Sequence, residues 1–248
     1  MSNVNLFNGC KITVEATNKE FHTFDDWGLY ITNTNCIGNP EQYTNYVEVP
    51  GRDGRLDMSE ALTERPTYLG RTLTIELSGA RPKISWDSII SAFRNRINGR
   101  ICKITFDNDL GYFWRGRVSV EDFESVMTLG KFTVKVEAEP YKYSIHQSSD
   151  PWLWDPFNFE NGIITYQDAW TVTTSLIVGI PAGYMPTVPT FVVSEKAGTL
   201  TMVCNGITYT LASGSNRFPG VLVGGDDVVE MTFTGSAKIQ IVYRGGSL

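Results

Sequence analysis

The chain has 248 residues, of which 42% are hydrophobic and 12% aromatic, a composition typical of one large or two ordinary packed domains. Its formal net charge of −6 excludes the general basic field that nonspecific nucleic-acid binding requires. No apolar run approaches the roughly 20 residues of a membrane-spanning helix. The N-terminus has neither the basic flank nor the apolar segment of a signal peptide, so we expect neither membrane insertion nor signal-directed secretion.

Residues that usually carry metal or nucleophilic chemistry are scattered. They are the four cysteines and two histidines Cys10, Cys36, Cys102, Cys204, His22 and His146. A disulfide between Cys10 and Cys36 is conceivable, but unpaired thiols better fit a protein made in a reducing cytoplasm. The chain has no Gly-x-Ser-x-Gly elbow or phosphate-binding glycine loop, and its acidic pairs lie beside turn residues. We therefore expect no enzymatic activity, no metal and no cofactor.

Charge density divides the chain into two parts. Residues 1–149 hold 17 Lys and Arg with 19 Asp and Glu, whereas residues 150–248 hold 4 and 8. The change falls at 144–151, a polar stretch that predicts a linker. We place a first domain at residues 1–147 and a second domain at residues 148–248.

Alternation of apolar and polar residues predicts a mainly antiparallel β-structure for the first domain. The predicted strands are Lys11–Glu15, Leu29–Thr32, Arg71–Leu77, Ile101–Phe106, Tyr112–Val118 and Lys131–Glu137.

One amphipathic helix is predicted between the third and fourth of these strands. Ser85 is the expected N-cap and Gly99 the expected left-handed C-terminal residue. The apolar face consists of Trp86, Ile89, Ile90, Phe93 and Ile97. Arginines 94, 96 and 100 gather at the C-terminal end, where complementation of the helix dipole is the favoured interpretation over a binding patch.

The run Val47–Asp57 contains the most informative motif of the chain. A strand ends at Val49, Pro50 sets φ near −65°, and Gly51 and Gly54 bracket an Arg-Asp pair. In an arbitrary protein, this run of residues would be interpreted simply as a charged surface turn. Here the motif is followed by Tyr68 and Arg71, which open the next alternating strand.

The second domain shows short apolar segments between Gly, Pro, Asn and Ser turns and no helical periodicity. These segments are Ser175–Val178, Thr190–Val193, Thr199–Cys204, Ile207–Leu211, Val228–Phe233 and Lys238–Tyr243. Asn205 and Gly206 form the strongest short hairpin signal in the chain. This pattern predicts an all-β sandwich.

In the order of its motifs the chain resembles the distal tail protein (Dit) family of long-tailed bacteriophages, or a prophage-encoded member of it. The resemblance is carried by the Pro-Gly-Arg-Asp-Gly turn, by Tyr68 and Arg71, by Glu137–Tyr143, and by the terminal Ile239–Leu248. It implies a galectin-like second domain. The predicted fold class is thus mainly β: an N-terminal antiparallel β-domain with one packed α-helix, then a C-terminal galectin-like β-sandwich.

The resemblance also implies a structural role in the virion. The first domains would form a hexameric ring at the tail tip, assembled in the cytoplasm of the bacterial host. One face of this baseplate hub would stack on the tail tube protein, and the other would hold tail-associated or tape-measure proteins. The outward second domains would contact receptor-binding proteins.

The motif is the candidate subunit interface. Its candidate residues are Pro50, Gly51, Arg52, Asp53, Gly54, Arg55, Asp57 and Arg71. The hypothesis is that Arg52 or Arg55 pairs with a carboxylate through its planar guanidinium while Arg71 braces the loop. In the competing account, Asp53 and Asp57 only satisfy backbone amides within the turn.

Tryptophans after the boundary offer an alternative function. Trp152, Trp154 and Trp170 could stack against sugar rings, which would make the second domain a carbohydrate-binding adhesion module. However, residues 150–248 contain only Arg217 and Arg244 as arginines and no histidine, so the directed hydrogen bonds of a sugar site are poorly supplied. In the preferred interpretation, these indoles wedge the two domains together or support the entrance of the sandwich.

Overall fold

The computed structural model describes residues 9–33, 35–150, 169–181, 183–225 and 227–248. The chain divides into two compact units between Pro140 and Tyr141. The fold is mainly β, which confirms the predicted class.

The described part of the first unit contains two helices and a set of antiparallel strands. Their bounds are β1 Cys10–Val14, β2 Lys19–His22, α1 Thr23–Trp27, β3 Tyr30–Ile31, β4 Tyr46–Glu48, β5 Arg55–Asp57, β6 Arg71–Ala80, α2 Lys83–Ile97, β7 Ile101–Phe106, β8 Tyr112–Val126 and β9 Leu129–Ala138. The main sheet has the order β2-β1-β7-β8-β9-β6-β3, and β4 and β5 form a separate two-stranded sheet.

The core of the first unit lies between α2 and this sheet. Trp86, Ile90, Phe93 and Ile97 of α2 are buried, as predicted from their spacing. The ring of Phe93 makes an edge contact with the ring of Phe132 on β9, at 5.1 Å between centroids. Alternate residues along β9 are buried, so the predicted period-two pattern is confirmed where the helix covers the sheet.

The start of α2 differs from the prediction. The helix begins at Lys83 with Pro82 as N-cap, and Ser85 lies inside the first turn, where its Oγ donates to the carbonyl of Pro82. Proline presets a φ compatible with a helix start, so the helix begins earlier than the serine signal suggested. The short α1 was not predicted because its few residues carry no helical periodicity.

The second unit is built entirely from strands among its described residues. Their bounds are β10 Lys142–Ser144, β11 Trp170–Val172, β12 Ser175–Ile180, β13 Gly183–Thr187, β14 Thr190–Cys204, β15 Ile207–Leu211, β16 Gly214–Arg217, β17 Val223–Gly225, β18 Val229–Val242 and β19 Gly246–Ser247. Asn205 and Gly206 both have positive φ, at 50° and 75°, and join β14 to β15 as the predicted hairpin turn.

The second unit begins a few residues before the predicted boundary. β10 pairs with β19 at the end of the chain, and the Ser148 N–H donates to the Tyr243 carbonyl at 2.9 Å. Ser144, Ile145 and Ser148, which lie in the stretch interpreted as a linker, are therefore hydrogen-bonded to residues 241–245 near the end of the chain.

Two long bent strands give the second unit its layered form. β14 and β18 pair along both halves, with register shifts between Ser194 and Thr201. One half is flanked by β12 and β15, and the other by β11 and β16. Buried residues from both halves form one core, so the bent sheet closes as a sandwich. Four predicted short segments are thus two continuous strands.

The bend in β18 depends on Gly235. Its φ is +137°, and a Cβ at this position would lie 2.6 Å from the Thr199 carbonyl oxygen. We expect Gly235→Ala to lower the free energy of unfolding by at least about 1–2 kcal/mol, because both the φ and the close approach oppose a side chain. Gly183→Ala is the control, since its Cβ would meet nothing closer than 3.8 Å. Urea unfolding measures both; equal stability of the two variants would contradict the prediction.

Candidate assembly surface

A long excursion leaves the first unit before β6 and returns to it. We call residues 38–70 the arm. Both of its ends are fixed on the main sheet: the Gly38 N–H donates to the Thr72 carbonyl at 3.0 Å, and Gly70 precedes β6. A Cβ would lie 2.7 Å from the Thr72 oxygen at Gly38 and 2.9 Å from the Ala138 oxygen at Gly70. Glycine permits both close approaches, so the base of the arm is tightly closed.

No residue of the arm is buried. Most of its large apolar side chains are exposed instead, and Leu62 is exposed to 98%. The other exposed ones are Tyr43, Tyr46, Val47, Val49, Met58 and Leu69, whereas Leu56 and Tyr68 are half-buried. Single exposed apolar residues are ordinary, but a group on one excursion is typical of an interaction surface. Sequence reasoning missed these residues, because tyrosine, valine and leucine in a strand pattern also predict a core.

The sequence motif is the turn of a β-hairpin at the centre of the arm. β4 and β5 pair through Tyr46 with Asp57, Val47 with Leu56 and Glu48 with Arg55. The connecting turn contains Gly51 and Gly54, whose φ angles are +81° and +79°. Positive φ at both positions explains why the motif needs two glycines.

The charged residues of the motif make local contacts in the single chain. Arg55 Nη2 lies 3.3 Å from Glu48 Oε1, with the side chains 65% and 78% exposed, so this pair adds little stability. Asp57 accepts from the hydroxyl and the N–H of Ser59, and these two hydrogen bonds lower the pKa of the Asp57 carboxyl. Arg52 and Asp53 are exposed at the tip. The contacts of Asp57 are thus local, as in the competing account of the turn. An intersubunit role for Arg52 or Arg55 stays a prediction.

Arg71 lies at the base of the arm and is 7% exposed. Its guanidinium carbon lies 4.7 Å from the ring centroid of Trp114 on β8. Its Nε and Nη2 are buried and have no hydrogen-bond partner among the described residues, and burial lowers the pKa of the guanidinium. The side chain therefore packs on the sheet, and the idea that it braces the turn stays a prediction.

Replacing Arg71 tests the cost of its burial. We expect Arg71→Met to leave the free energy of unfolding unchanged or to raise it by up to about 3 kcal/mol, because the apolar stem is kept and an incompletely bonded charge is removed. Arg71→Ala is the control, and it should be less stable than Arg71→Met because the stem packing is lost. Urea unfolding of both variants measures the difference. A clear loss of stability in Arg71→Met would show that the guanidinium stabilises the single chain.

Only one of the three candidate tryptophans lies among the described residues. Trp170 is in β11 opposite Ile239 and packs, partly buried, against the core of the second unit. Trp170 thus contacts the core of the sandwich, and its interdomain or sugar-stacking role stays a prediction. Trp152 and Trp154 lie outside the described residues, so the wedge and the sugar-stacking interpretations both stay predictions for them.

The described residues show neither a cluster of metal ligands nor a disulfide. Within them, no group of three or more His, Cys, Asp or Glu side chains could hold a metal ion, and none of the helices is long and apolar enough to cross a membrane. All four cysteines are free thiols. Burial raises the pKa of the Cys10 thiol to about 12 and that of the Cys102 thiol to about 11, so both remain protonated and unreactive near neutral pH.

A polar cluster around His22 and Asp107 was not predicted from the sequence. His22 Nε2 lies 3.0 Å from Asp107 Oδ1, and His22 Nδ1 accepts from the Asp25 N–H at the start of α1. Asp107 also accepts from the Gly9 N–H. These bonds join β2, α1 and the loop after β7, which is a structural role. No local signal indicates a contact between residues so far apart in sequence.

Comparison of structures shows a Dit-like fold. The chain is similar to the SPP1 Dit (gp 19.1) protein, described as a paradigm of the hub adsorption apparatus in phages that infect Gram-positive bacteria, with a TM-score of 0.61 and 12% sequence identity. The alignment covers 95% of this chain and 98% of that chain. No protein-family model matches the sequence, and no curated protein matches it significantly.

Proposed function

We propose that the chain is a structural subunit of a phage tail tip that associates with copies of itself through the arm. One observation carries this proposal: the arm is a defined hairpin excursion in which no residue is buried. The Dit-like fold supports it, because the SPP1 protein of that fold is described as a hub.

An isolated β-hairpin has little stability of its own, which favours a binding partner for the arm. Two strands alone are marginally stable in water, and a hydrophobic face or a packing partner is needed for independent stability. The arm exposes most of its large apolar side chains, and β4 and β5 pair only with each other. Burial against another molecule would supply the missing stabilisation.

A second copy of the chain is the partner that fits an assembly hub. The arm is one patch, and the surface that receives it is a different patch of the same chain. Such a heterologous interface generates a ring when the rotation closes. The ring is proposed to be hexameric, with an interface that buries on the order of 2,000 Å² or more. Tail tube, tail-associated and receptor-binding proteins are the proposed further partners in the virion.

Polar substitution of the exposed apolar residues tests the arm. We expect Val47→Ser with Leu62→Ser to weaken self-association at least about tenfold. The unfolding temperature of the monomer should stay unchanged, since neither side chain is buried. Light scattering and sedimentation velocity measure association. The control is Leu110→Ser with Ile177→Ser, whose side chains are 67% and 65% exposed outside the arm.

Two results would contradict the proposal. The first is a chain that stays monomeric at every concentration, including concentrations used for crystal growth. The second is an arm variant that associates as tightly as the unchanged chain.

A separate measurement addresses the carbohydrate-binding alternative. We expect the full chain to give no saturable signal on a glycan array, because residues 150–248 carry 12 charged side chains and no histidine to orient sugar hydroxyls. Binding to a host-wall saccharide that is lost in Trp152→Ala or Trp154→Ala would instead establish the adhesion function.

A further inference from the structure

A group of arginines gathers where α2 ends. Arg94 and Arg96 lie in the last turn of α2, and Arg100 follows it. Arg117 of β8 joins them because its Nη1 donates to the Gly99 carbonyl at 2.6 Å. All four side chains are exposed. We call this group the arginine surface.

These arginines have no acidic partner among the described residues. Within the described part of the chain, none lies within ion-pair distance of a carboxylate, whereas neighbouring cations of the same sheet are paired: Arg115 with Glu15 and Glu139, Lys131 with Glu76 and Lys135 with Glu121. Arg96 instead lies over the rings of Phe21 and Trp27.

Helix-dipole complementation does not account for the whole group. The C-terminus of a helix is equivalent to roughly half an elementary negative charge, and four guanidinium groups exceed it. The surplus is a positive surface that repels itself in the single chain and favours an acidic partner.

The arm has the complementary charge. It holds six Asp and Glu against three Arg, whereas residues 1–140 without the arm hold 13 of each sign. The negative surplus of the first unit therefore lies entirely in the arm. Glu41, Asp53, Glu60 and Glu64 make no ion pair with any described residue. Among the described residues, no arm carboxylate forms an ion pair with these arginines within one chain, so both sets of charges are available to a partner.

We propose that the arm of one copy docks on the arginine surface of the next copy. This inference rests on the proposed function and names the receiving surface of the interface. The two patches differ, as head-to-tail closure requires. Acidic side chains of the arm meet the guanidinium groups, and the exposed apolar side chains of the arm pack on the arginine stems and on the half-buried ring of Phe21 beside Arg96. Charge complementarity of this kind also selects the correct partner and register.

Charge reversal with rescue tests the pairing in the full chain. Arg94→Glu with Arg100→Glu should weaken self-association at least about tenfold, and Glu60→Arg with Glu64→Arg should do the same. A mixture of these two variants should associate more tightly than either variant alone. The reversed, basic arm of one variant then meets the reversed, acidic surface of the other, and the unchanged arm meets the unchanged arginines. The control is Lys19→Glu with Lys83→Glu, an equal charge change at β2 and at the opposite end of α2. Sedimentation velocity at several salt concentrations measures association, which for the unchanged chain should weaken as salt rises.

Each outcome decides the inference. If the unchanged chain associates and the arginine variant associates equally well, or if the mixture shows no recovery, the arginine surface is not the receiving surface, while the proposed function stands. If the control weakens association as much as the arginine variant, the effect is one of net charge and the inference is overturned. If the unchanged chain never associates, both the inference and the proposed function fail.

Discussion

The antiparallel ladder between β6 and β9 is the interaction on which the first unit depends. It runs without a bulge from the pair of Arg71 with Ala138 to the pair of Ala80 with Leu129. Its inward side chains form the floor on which α2 packs. The same ladder brings the first residues of β6 against both ends of the arm. The position of the arm is therefore a consequence of the core and does not depend on contacts made by the arm itself.

This arrangement separates folding from assembly. The core of the first unit is complete without the arm, because no arm residue is buried. Apart from Gly38, Gly51, Gly54 and Gly70, residues of the arm can consequently change at little cost to the free energy of folding of the first unit. Any ordering of the arm on binding is an entropic cost that the interface must exceed. The close approach of Gly38 and Gly70 to backbone carbonyls of the main sheet limits this entropic cost, because it fixes where the arm leaves the sheet.

The sequence predicted those parts of the fold that depend on residues close to one another in the chain. The period-two pattern of β9, the apolar face of α2 and the Asn205–Gly206 turn each depend on residues close in sequence. The prediction failed where distant contacts decide. Thr190–Val193 and Thr199–Cys204 read as two strands, but they are the halves of β14, which bends because β18 pairs with both. A bent strand and two short strands give the same apolar pattern, so the sequence alone does not separate them.

For the candidate site, the sequence predicted the turn but not its surroundings. Proline and glycine identify a tight turn through backbone geometry, which needs no tertiary information. Exposure is different, because apolar side chains such as Val47 and Leu62 are suited equally to a core and to an interface, both of which remove apolar area from water. Charge provides the distinction. A core excludes unpaired charge, whereas an interface tolerates it when the partner has the opposite sign. The arm combines exposed apolar residues with the negative surplus of its unit, a combination that favours an interface once the structure has defined where the arm begins and ends.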